Sequence, residues 1–192
     1  MSARDRSLLV VTPLRLEHAA VRRALPGALQ LRCGMGAARA RAAAPVIARL
    51  QAGAVAVAGV CGALDGDLRA GDVVVGSEVR GPGGVVACSS EPLVAALSAT
   101  GIRRVHVGPV LSVDHIVRRA ERVALGAGGA LVVDMESAWL APGAASGPFA
   151  VLRVVLDTPE RGFSRPLATL GDAVIAWRAL RRAAPALAIW AR

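Results

Sequence analysis

The chain of 192 residues contains no Lys, no Tyr and no Asn, and aromatic residues make up only 3% of it. Its formal net charge of +9 therefore comes from arginine. Proteins that bind nucleic acids usually cluster their basic residues and add aromatic side chains on which bases stack. Here the arginines are spread along the chain, so we expect no nucleic-acid partner. An attraction for small anionic molecules explains the charge equally well.

Cysteines are also few, and long apolar runs without charge are missing. Cys33, Cys61 and Cys88 lack the CxxC spacing, so we expect neither a disulfide framework nor a metal site. Hydrophobic residues make up 54% of the chain, yet no run is long enough to cross a bilayer. Residues 1–7 are polar and charged, unlike a secretory signal. We expect a cytoplasmic protein without stable membrane insertion.

Short apolar segments alternate with segments of helical periodicity along the chain. Strands are predicted at 7–12, 54–58, 73–79, 105–111, 131–133 and 149–156, and helices at 16–25, 37–50, 91–100, 114–125, from 135, and at 171–182. This alternation indicates one α/β domain over residues 1–192, with a mixed, mostly parallel sheet flanked by helices. In open sheets of this kind ligands bind at the carboxyl ends of the strands.

Four short segments place glycines and acids at such strand ends. They are CGMG at 33–36, GVCGAL at 59–64, VDMESA at 133–138 and RVVLD at 153–157. Cleavage of an N-glycosidic bond builds positive charge on the ribose and negative charge on the base, and a catalyst must stabilise both. Two glycine-rich turns followed by two carboxylates supply the parts needed to hold a ribose and protonate a departing base.

On these segments the chain resembles the nucleoside phosphorylase and methylthioadenosine/adenosylhomocysteine nucleosidase superfamily. The resemblance spans about residues 8–158 and is most specific at 59–72 and at Asp134-Met135-Glu136. It implies a mixed sheet flanked by helices, a small-molecule nucleoside as partner, and cleavage of an adenosine-type N-glycosidic bond. It also implies a homo-oligomer, for which apolar residues near Trp190 could provide contacts.

The chain departs from the family pattern in two regions. The segment between Leu25 and Cys33 is shorter than in most members, which carry an extra hairpin there. The part from Asp157 to the end resembles the branch found with hopanoid biosynthesis. This narrower resemblance implies a hydrophobic adenosyl substrate such as adenosylhopane.

The resemblance implies a role for each acid in the two carboxylate segments. Asp157 would protonate the purine base, which requires a pKa raised by burial. Glu136 would accept hydrogen bonds from the ribose hydroxyls, with Met135 packed against the sugar. The alternatives are a cap or turn residue for Asp157 and a helix-terminal acid for Glu136. Leu156 stands where the family often has a hydroxyl residue, and Arg153 is expected to pair with a carboxylate.

The glycine segments are predicted to bring the backbone close to a ligand. Gly34 and Gly36 precede a predicted helix, where backbone N–H groups could meet an anion or a sugar oxygen. Plain turn geometry is the alternative. Gly59, Cys61 and Gly62 are predicted to form a second turn, in which glycine permits close approach of the backbone.

The turn after the first strand leaves the nucleophile open. Glu17 stands where hydrolytic members carry the Glu that activates water. Arg15 stands where phosphorolytic members place an Arg on phosphate, which would then be a co-substrate; no other cofactor is expected. Val60 replaces the hydroxyl residue of phosphorolytic members, and the acidic run usual around Glu17 in hydrolytic members is missing. The alternative is that both residues are solvated helix residues.

Ser112, Asp114 and His115 resemble the loop that contacts the base in the family. His115 and Ile116 would lie over the base, where members often have Phe, and a surface His is the alternative.

Two other functions stay open at this point. A protein of the same fold could bind a nucleoside or purine without turnover, which Leu156, Val60 and the missing hairpin favour. A cysteine hydrolase could use Cys61 with His18 or His115.

Overall fold

The computed structural model describes residues 8–158 and 166–192. The predicted single domain over 1–192, and the predicted strand that starts at Ser7, therefore extend in part outside the described residues. The elements are β1 (Leu8–Thr12), α1 (Arg15–Ala24), β2 (Leu29–Arg32), α2 (Ala37–Leu50), β3 (Ala54–Ala63), β4 (Val73–Gly81), β5 (Gly84–Ala87), α3 (Ser90–Ala99), β6 (Val105–Ser112), α4 (Arg119–Gly126), β7 (Val132–Asp134), α5 (Ser137–Leu140), a 3₁₀ turn (Ala141–Ala144), β8 (Phe149–Asp157), α6 (Pro166–Ala183) and α7 (Ala186–Trp190).

Across the described residues the strands form one mixed sheet in the order β2-β1-β3-β7-β6-β4-β5, and β8 pairs with both β3 and β4. The pairings of β3, β8, β4, β6 and β7 therefore close into a ring. Pairs β1–β2, β1–β3, β3–β8, β4–β6 and β6–β7 are parallel, whereas β3–β7, β4–β5 and β4–β8 are antiparallel. The predicted α/β fold with a mixed, mostly parallel sheet is confirmed.

Strand β1 shows why the sheet is covered on both faces. Successive side chains of a strand point to opposite faces, and all five residues of β1 are buried. Leu8 and Val10 join an apolar layer with α1, α3, α6 and α7. Leu9 and Val11 join a second layer with α2 and α5. Helices on both faces leave the strand ends as the accessible part of the sheet.

Strand β3 runs five residues beyond its predicted end, so the predicted second glycine turn is wrong. Gly59, Cys61 and Gly62 lie within the strand. A Cβ atom at Gly59 would lie 2.6 Å from Oε1 of Glu17, and one at Gly62 would lie 2.9 Å from Nη2 of Arg122. These glycines therefore make room for side chains from other elements, and a turn is not required.

The remaining differences lie at the edges of the sheet and in one loop. β2 and β5 were not predicted, and both are edge strands with largely unburied residues. The helix predicted at 114–125 begins only at Arg119, because Val117 turns inward and packs with Leu64 and Val133. Val113, His115, Ile116 and Val117 instead contribute to a cavity wall.

The C-terminal helix α7 packs into the core. Trp190 is 8% exposed, and its indole Nε1 donates a hydrogen bond of 3.1 Å to Oγ of Ser89. Trp190 itself is therefore a core residue, whereas the neighbouring Ile189 is 41% exposed, and a homo-oligomer with contacts near Trp190 stays a prediction. None of the helices in the described part combines the length and apolar character needed to span a bilayer.

Candidate active site

A cavity of about 310 Å³ lies where the carboxyl ends of β1, β3, β7 and β8 come together. Its floor is made of strand-end residues, and Val113, His115, Ile116 and Val117 form part of its wall. The residues singled out in the sequence that line it include Glu17, Cys61, Gly62, His115, Met135, Glu136 and Asp157. The carboxyl ends of the strands therefore bring these residues together, as the sequence predicted.

Asp157 is held at the cavity by an ion pair with Arg122. Both side chains are buried, and Nη2 of Arg122 lies 2.5 Å from Oδ2 of Asp157. Burial raises the pKa of Asp157, and the neighbouring guanidinium opposes that shift without cancelling it. The result is a carboxyl group that protonates more readily than an exposed Asp and keeps a cation beside it.

Arg122 was not predicted as a site residue. It belongs to α4, 35 residues away from Asp157 in the chain. Its neighbours Arg118 and Arg119 are of the same type, so composition and helical periodicity could not single it out. Gly62 is the one local signal, because its missing side chain leaves space for the Arg122 guanidinium.

Arg153 is completely buried (0% exposed) and lies among three carboxylates. Its Nη2 donates hydrogen bonds to Oδ2 of Asp134 at 2.5 Å and to Oγ of Ser137 at 2.9 Å. Oε2 of Glu136 is 3.7 Å away. Burial opposes the charge of Arg153, but Asp134, Glu136 and Glu17 together raise its pKa. The predicted pairing of Arg153 with a carboxylate is confirmed.

Asp134 is the ionised anchor of this cluster. Its carboxylate accepts hydrogen bonds from the hydroxyls of Ser112 and Ser137 and from the backbone N–H of Glu136. Burial disfavours its charge, but Arg153 and the two hydroxyls outweigh that cost and hold its pKa below the usual range. Ser112, proposed for the base, is thus buried behind the cavity wall, where it fixes Asp134.

Glu136 is oriented by the backbone of the CGMG segment. The N–H of Gly36 donates a hydrogen bond of 2.8 Å to Oε1 of Glu136. This N–H was predicted to bind an anion or a sugar oxygen. In the structure it donates to the carboxylate of Glu136 instead. Gly36 has φ 95°, a left-handed conformation that favours glycine. Burial raises the pKa of Glu136, and Arg153 opposes the rise.

Glu17 is buried, so its interpretation as a solvated helix residue is wrong. Its Oε1 accepts a hydrogen bond of 2.8 Å from the backbone N–H of Val60, and its Oε2 accepts one of 2.6 Å from the N–H of Leu14. Burial raises its pKa, while these bonds and Arg153 oppose the rise. Arg15, in contrast, is exposed and lines a neighbouring cavity.

The wall opposite the strand ends contains His115 and Ile116. The two ring nitrogens of His115 lie 2.9 Å from Oδ1 of Asp114 and 2.7 Å from Oε1 of Glu121. These hydrogen bonds raise the pKa of His115. Asp114, proposed for the base, is therefore placed outside the cavity lining, where it holds the His115 ring.

Cys61 is a poor candidate for a nucleophile. It is buried, and burial raises the pKa of its thiol, so the reactive thiolate is disfavoured. His18 hydrogen-bonds with Thr12, and His115 with Asp114 and Glu121. Among the described residues, neither His18 nor His115 hydrogen-bonds to the Cys61 thiol. Across residues 8–158 and 166–192, no group of His, Cys, Asp and Glu is arranged to hold a metal ion.

The fold is similar to that of several solved nucleosidases. The 5'-methylthioadenosine/S-adenosylhomocysteine nucleosidase of Neisseria meningitidis, in complex with methylthio-immucillin-A, matches with a TM-score of 0.79 and 19% identity, over 95% of this chain and 98% of that chain. The corresponding nucleosidase of Colwellia psychrerythraea, in complex with adenine, matches at 0.77 and 21%, over 96% and 95%. Futalosine hydrolase of Helicobacter pylori matches at 0.78 and 16%, over 98% of both chains.

These identities establish the fold and leave the activity to be argued from the site. No curated protein sequence matches the chain significantly. The family model described as "Phosphorylase superfamily" matches residues 27–184. This match covers most of the chain and includes β3, β7 and β8 at the cavity, and the protein therefore belongs to the phosphorylase superfamily.

Proposed function

We propose that the protein hydrolyses the N-glycosidic bond of an adenosine-type nucleoside. The observation that carries this proposal is that Asp157, Glu136 and Glu17 line a single cavity. The similar nucleosidases of Neisseria meningitidis and Colwellia psychrerythraea, whose structures contain methylthio-immucillin-A and adenine, support a purine nucleoside as the substrate.

Asp157 supplies the proton for the leaving base. Negative charge builds on the base as the bond breaks, and proton donation by a positioned acid lowers that barrier. The raised pKa of Asp157 keeps the proton available. After transfer, Arg122 lies 2.5 Å from the new carboxylate and stabilises it. The family usually carries a hydroxyl residue just before this acid. In this chain that residue is Leu156, and Asp157 pairs with Arg122 instead.

Glu136 and Met135 hold the sugar. Glu136 keeps one oxygen on the Gly36 N–H, which fixes its plane and leaves its remaining acceptor positions for the ribose hydroxyls. Three carboxylates surround the single Arg153, so their negative charge is not fully balanced when they are ionised. This excess stabilises the positive charge that develops on the ribose.

Glu17 activates the attacking water. It lines the same cavity as the two other acids, and a raised pKa suits a carboxylate that must accept a proton near neutral pH. Arg15 is exposed and does not line this cavity, and Val60 offers no hydroxyl to a phosphate. These placements favour water over phosphate as the nucleophile.

Glu17→Gln is expected to lower adenine release from methylthioadenosine by roughly 10²- to 10⁴-fold, because the amide cannot take a proton from water. Binding of adenine should persist, since the cavity keeps its shape. The measurement is adenine release with and without phosphate, together with identification of the sugar product. Glu91→Gln on the exposed start of α3 is the matched control. A phosphate-dependent rate with 5-methylthioribose 1-phosphate as product would instead establish phosphorolysis.

Arg122→Gln should move the alkaline limb of the kcat/KM profile to higher pH. Arg122 stabilises the ionised form of Asp157, so its removal raises the pKa of that carboxyl further. The acid then stays protonated, and active, to a higher pH. The profile of the exposed Arg118→Gln variant is the control. An unchanged limb in Arg122→Gln would show that another group titrates there.

Binding without turnover is a second candidate function. The observation that favours it is the ion pair of Asp157 with Arg122, because an ion-paired carboxylate has no proton to donate. This alternative predicts that adenine raises the melting temperature while no nucleoside is cleaved. At a ligand concentration of 100 times Kd, linkage adds about 2.7 kcal/mol of stability. Measurable adenine release from any nucleoside would exclude it.

A hydrophobic 5' substituent, as in adenosylhopane, stays a prediction from the sequence. Leu14 and Met35 line the cavity and are 37% and 47% exposed, which supports an apolar group next to the sugar. A long-chain 5'-alkylthioadenosine in the same assay tests that group directly.

A further inference from the structure

His115 is hydrogen-bonded to a carboxylate through each of its two ring nitrogens. Nδ1 lies 2.9 Å from Oδ1 of Asp114, and Nε2 lies 2.7 Å from Oε1 of Glu121. A neutral imidazole has one N–H donor and one acceptor nitrogen, whereas an ionised carboxylate only accepts. Both hydrogen bonds therefore form together only when His115 is an imidazolium cation. We call Asp114, His115 and Glu121 the His115 bridge.

The bridge joins two elements of the fold. His115 belongs to the segment after β6 that contributes to the cavity wall, and Glu121 lies in the first turn of α4. The backbone N–H of Val113 anchors the start of the wall segment with a hydrogen bond of 2.9 Å to the carbonyl of Asp134. Val117 anchors its end by packing inward. Between these anchors, His115 connects the wall to the helix.

Helix α4 is eight residues long, and its two ends are held in different ways. Near the C-terminal end Gly126 lies against the backbone that follows β3, because a Cβ atom at Gly126 would lie 2.9 Å from the carbonyl oxygen of Leu64. Close backbone packing of this kind is rigid. At the N-terminal end Glu121 is bound by His115, so a side-chain contact that depends on charge holds this end of the helix.

The residue after Glu121 is Arg122, the partner of Asp157. Its Nη2 lies 2.5 Å from Oδ2 of Asp157, and it occupies the space left by the missing side chain of Gly62. Glu121 and Arg122 are consecutive in one helical turn, so a displacement of the first moves the second. The His115 bridge is therefore connected to the proposed acid through two adjacent residues of α4.

The charged groups around His115 come from three elements. Asp114 is in the wall segment and Glu121 is in α4, and the two hydrogen bonds raise the pKa of His115. The bond from His115 lowers the pKa of Asp114, and Arg41 of α2 adds to that effect. Asp114 and His115 are exposed, and exposed ion pairs contribute little to the stability of a fold. The bridge is therefore suited to setting local geometry.

We propose that His115 is a positioning residue whose cationic ring ties the cavity wall to α4 and thereby holds Arg122 against Asp157. The proposal rests on the function proposed above, because it assumes that Asp157 is the acid. It differs from the role considered in the sequence, in which the ring of His115 covers the base. A covering ring needs an aromatic face, whereas the bridge needs a positive charge with donors on two sides.

Three variants at position 115 separate these roles, with methylthioadenosine as the substrate. His115→Gln removes the charge, His115→Phe supplies an aromatic face without charge, and His115→Arg keeps a cation with several donors. At a pH below the ordinary His pKa of about 6.5, kcat/KM should fall about three- to tenfold in the Gln and Phe variants, the scale of one or two exposed ion pairs. It should stay within about twofold in His115→Arg.

The pH profile gives a second result that a purely structural role would not change. The raised pKa of His115 means that the bridge is complete below the ordinary His pKa and is lost as the pH rises through the folded-state value. The unmodified protein should show a matching decrease in kcat/KM, which is absent in His115→Arg. NMR of the three histidines locates this titration. His106→Gln, next to Asp72 and outside the cavity lining, is the control and should keep the decrease.

Glu121→Gln tests the bridge from its other end, because it leaves the ring of His115 in place. It should cause the same loss as His115→Gln, and the double variant should lose no more than either single one, since both remove one interaction. Additive losses, or a kcat/KM that is unchanged in both single variants, would overturn the proposal. Full activity in His115→Phe with the loss confined to His115→Gln would assign the ring to covering the base instead.

Failure of the proposed function gives a different pattern, in which no variant and no unmodified protein releases a base. NMR titration of the Asp157 carboxyl carbon then decides the inference without turnover. Arg122 opposes the rise in the pKa of Asp157, so His115→Gln and Glu121→Gln should move that pKa upward, in the direction of the Arg122→Gln variant. An unchanged pKa of Asp157 in both would refute the connection.

Discussion

Asp157→Asn is expected to lower adenine release from methylthioadenosine by about 10³-fold, the scale of a lost general acid. The amide keeps the size of the side chain and cannot donate the proton that the departing base needs. The loss should appear in kcat, with adenine binding retained, because the group acts on the transition state. Asp67→Asn, at an exposed position outside the cavity, is the control.

A rate for Asp157→Asn within a few fold of the unmodified protein would remove Asp157 from the mechanism. Retained activity in this variant together with loss in Arg122→Gln would point to the guanidinium as the group that stabilises the leaving base. The two variants therefore separate a proton donor from an electrostatic stabiliser at the same end of the cavity.

Arg153→Met is expected to lower the free energy of unfolding by about 3–5 kcal/mol at neutral pH. Among the described residues, Arg153 is the cation that acts on Asp134, Glu136 and Glu17. Its removal leaves three carboxylates of the buried cluster without that charge. Urea unfolding measures the loss. The exposed Arg103→Met should change stability by no more than about 0.5 kcal/mol.

The difference between Arg153→Met and the unmodified protein should shrink as the pH falls. With Arg153 present, the pKa of Asp134 is depressed, and that contribution to stability is lost on acidification through the folded-state pKa. Without Arg153, the pKa values of the buried acids rise above those of the unfolded chain, so protonation stabilises the folded variant. A pH-independent difference would indicate a packing defect instead of unbalanced charge.

The sequence was sufficient for the features that depend on local pattern. The buried strand β1 is a largely apolar run, and β8 is apolar except for Arg153 and for Asp157 at its end. Glu136 follows another strand, and chain order alone put these acids at strand ends. The edge strands β2 and β5 were not predicted because their residues are largely unburied and carry little apolar pattern.

Features that depend on contacts between residues far apart in the sequence could not be predicted from local patterns. Gly59 and Gly62 were interpreted as turn residues, yet they stay in β3 because Glu17 and Arg122 need the space above them. Arg122 reaches Asp157 across 35 residues of sequence. These contacts join residues that are far apart in the sequence, so no local pattern could predict them. Glycine was therefore interpreted as a turn residue.

The arginines give a second example of contacts that the sequence does not reveal. They are separated in the sequence and were counted as part of a dispersed positive charge. Arg15 was considered as a ligand for free phosphate or as a solvated helix residue. The fold brings Arg15, Arg32 and Arg39 to one cavity next to the site, so the spread of charge along the chain does not describe its distribution in space.

The central claim is that one nucleoside bridges Glu136 and Asp157. A crystal structure of the Asp157→Asn variant with methylthioadenosine tests it most directly, because the substrate should remain uncleaved. The account predicts a ring nitrogen of adenine within about 2.6–3.2 Å of the side chain at position 157, with the ribose hydroxyls on Glu136. A nucleoside bound outside this cavity, or with its hydroxyls away from Glu136, would contradict the account.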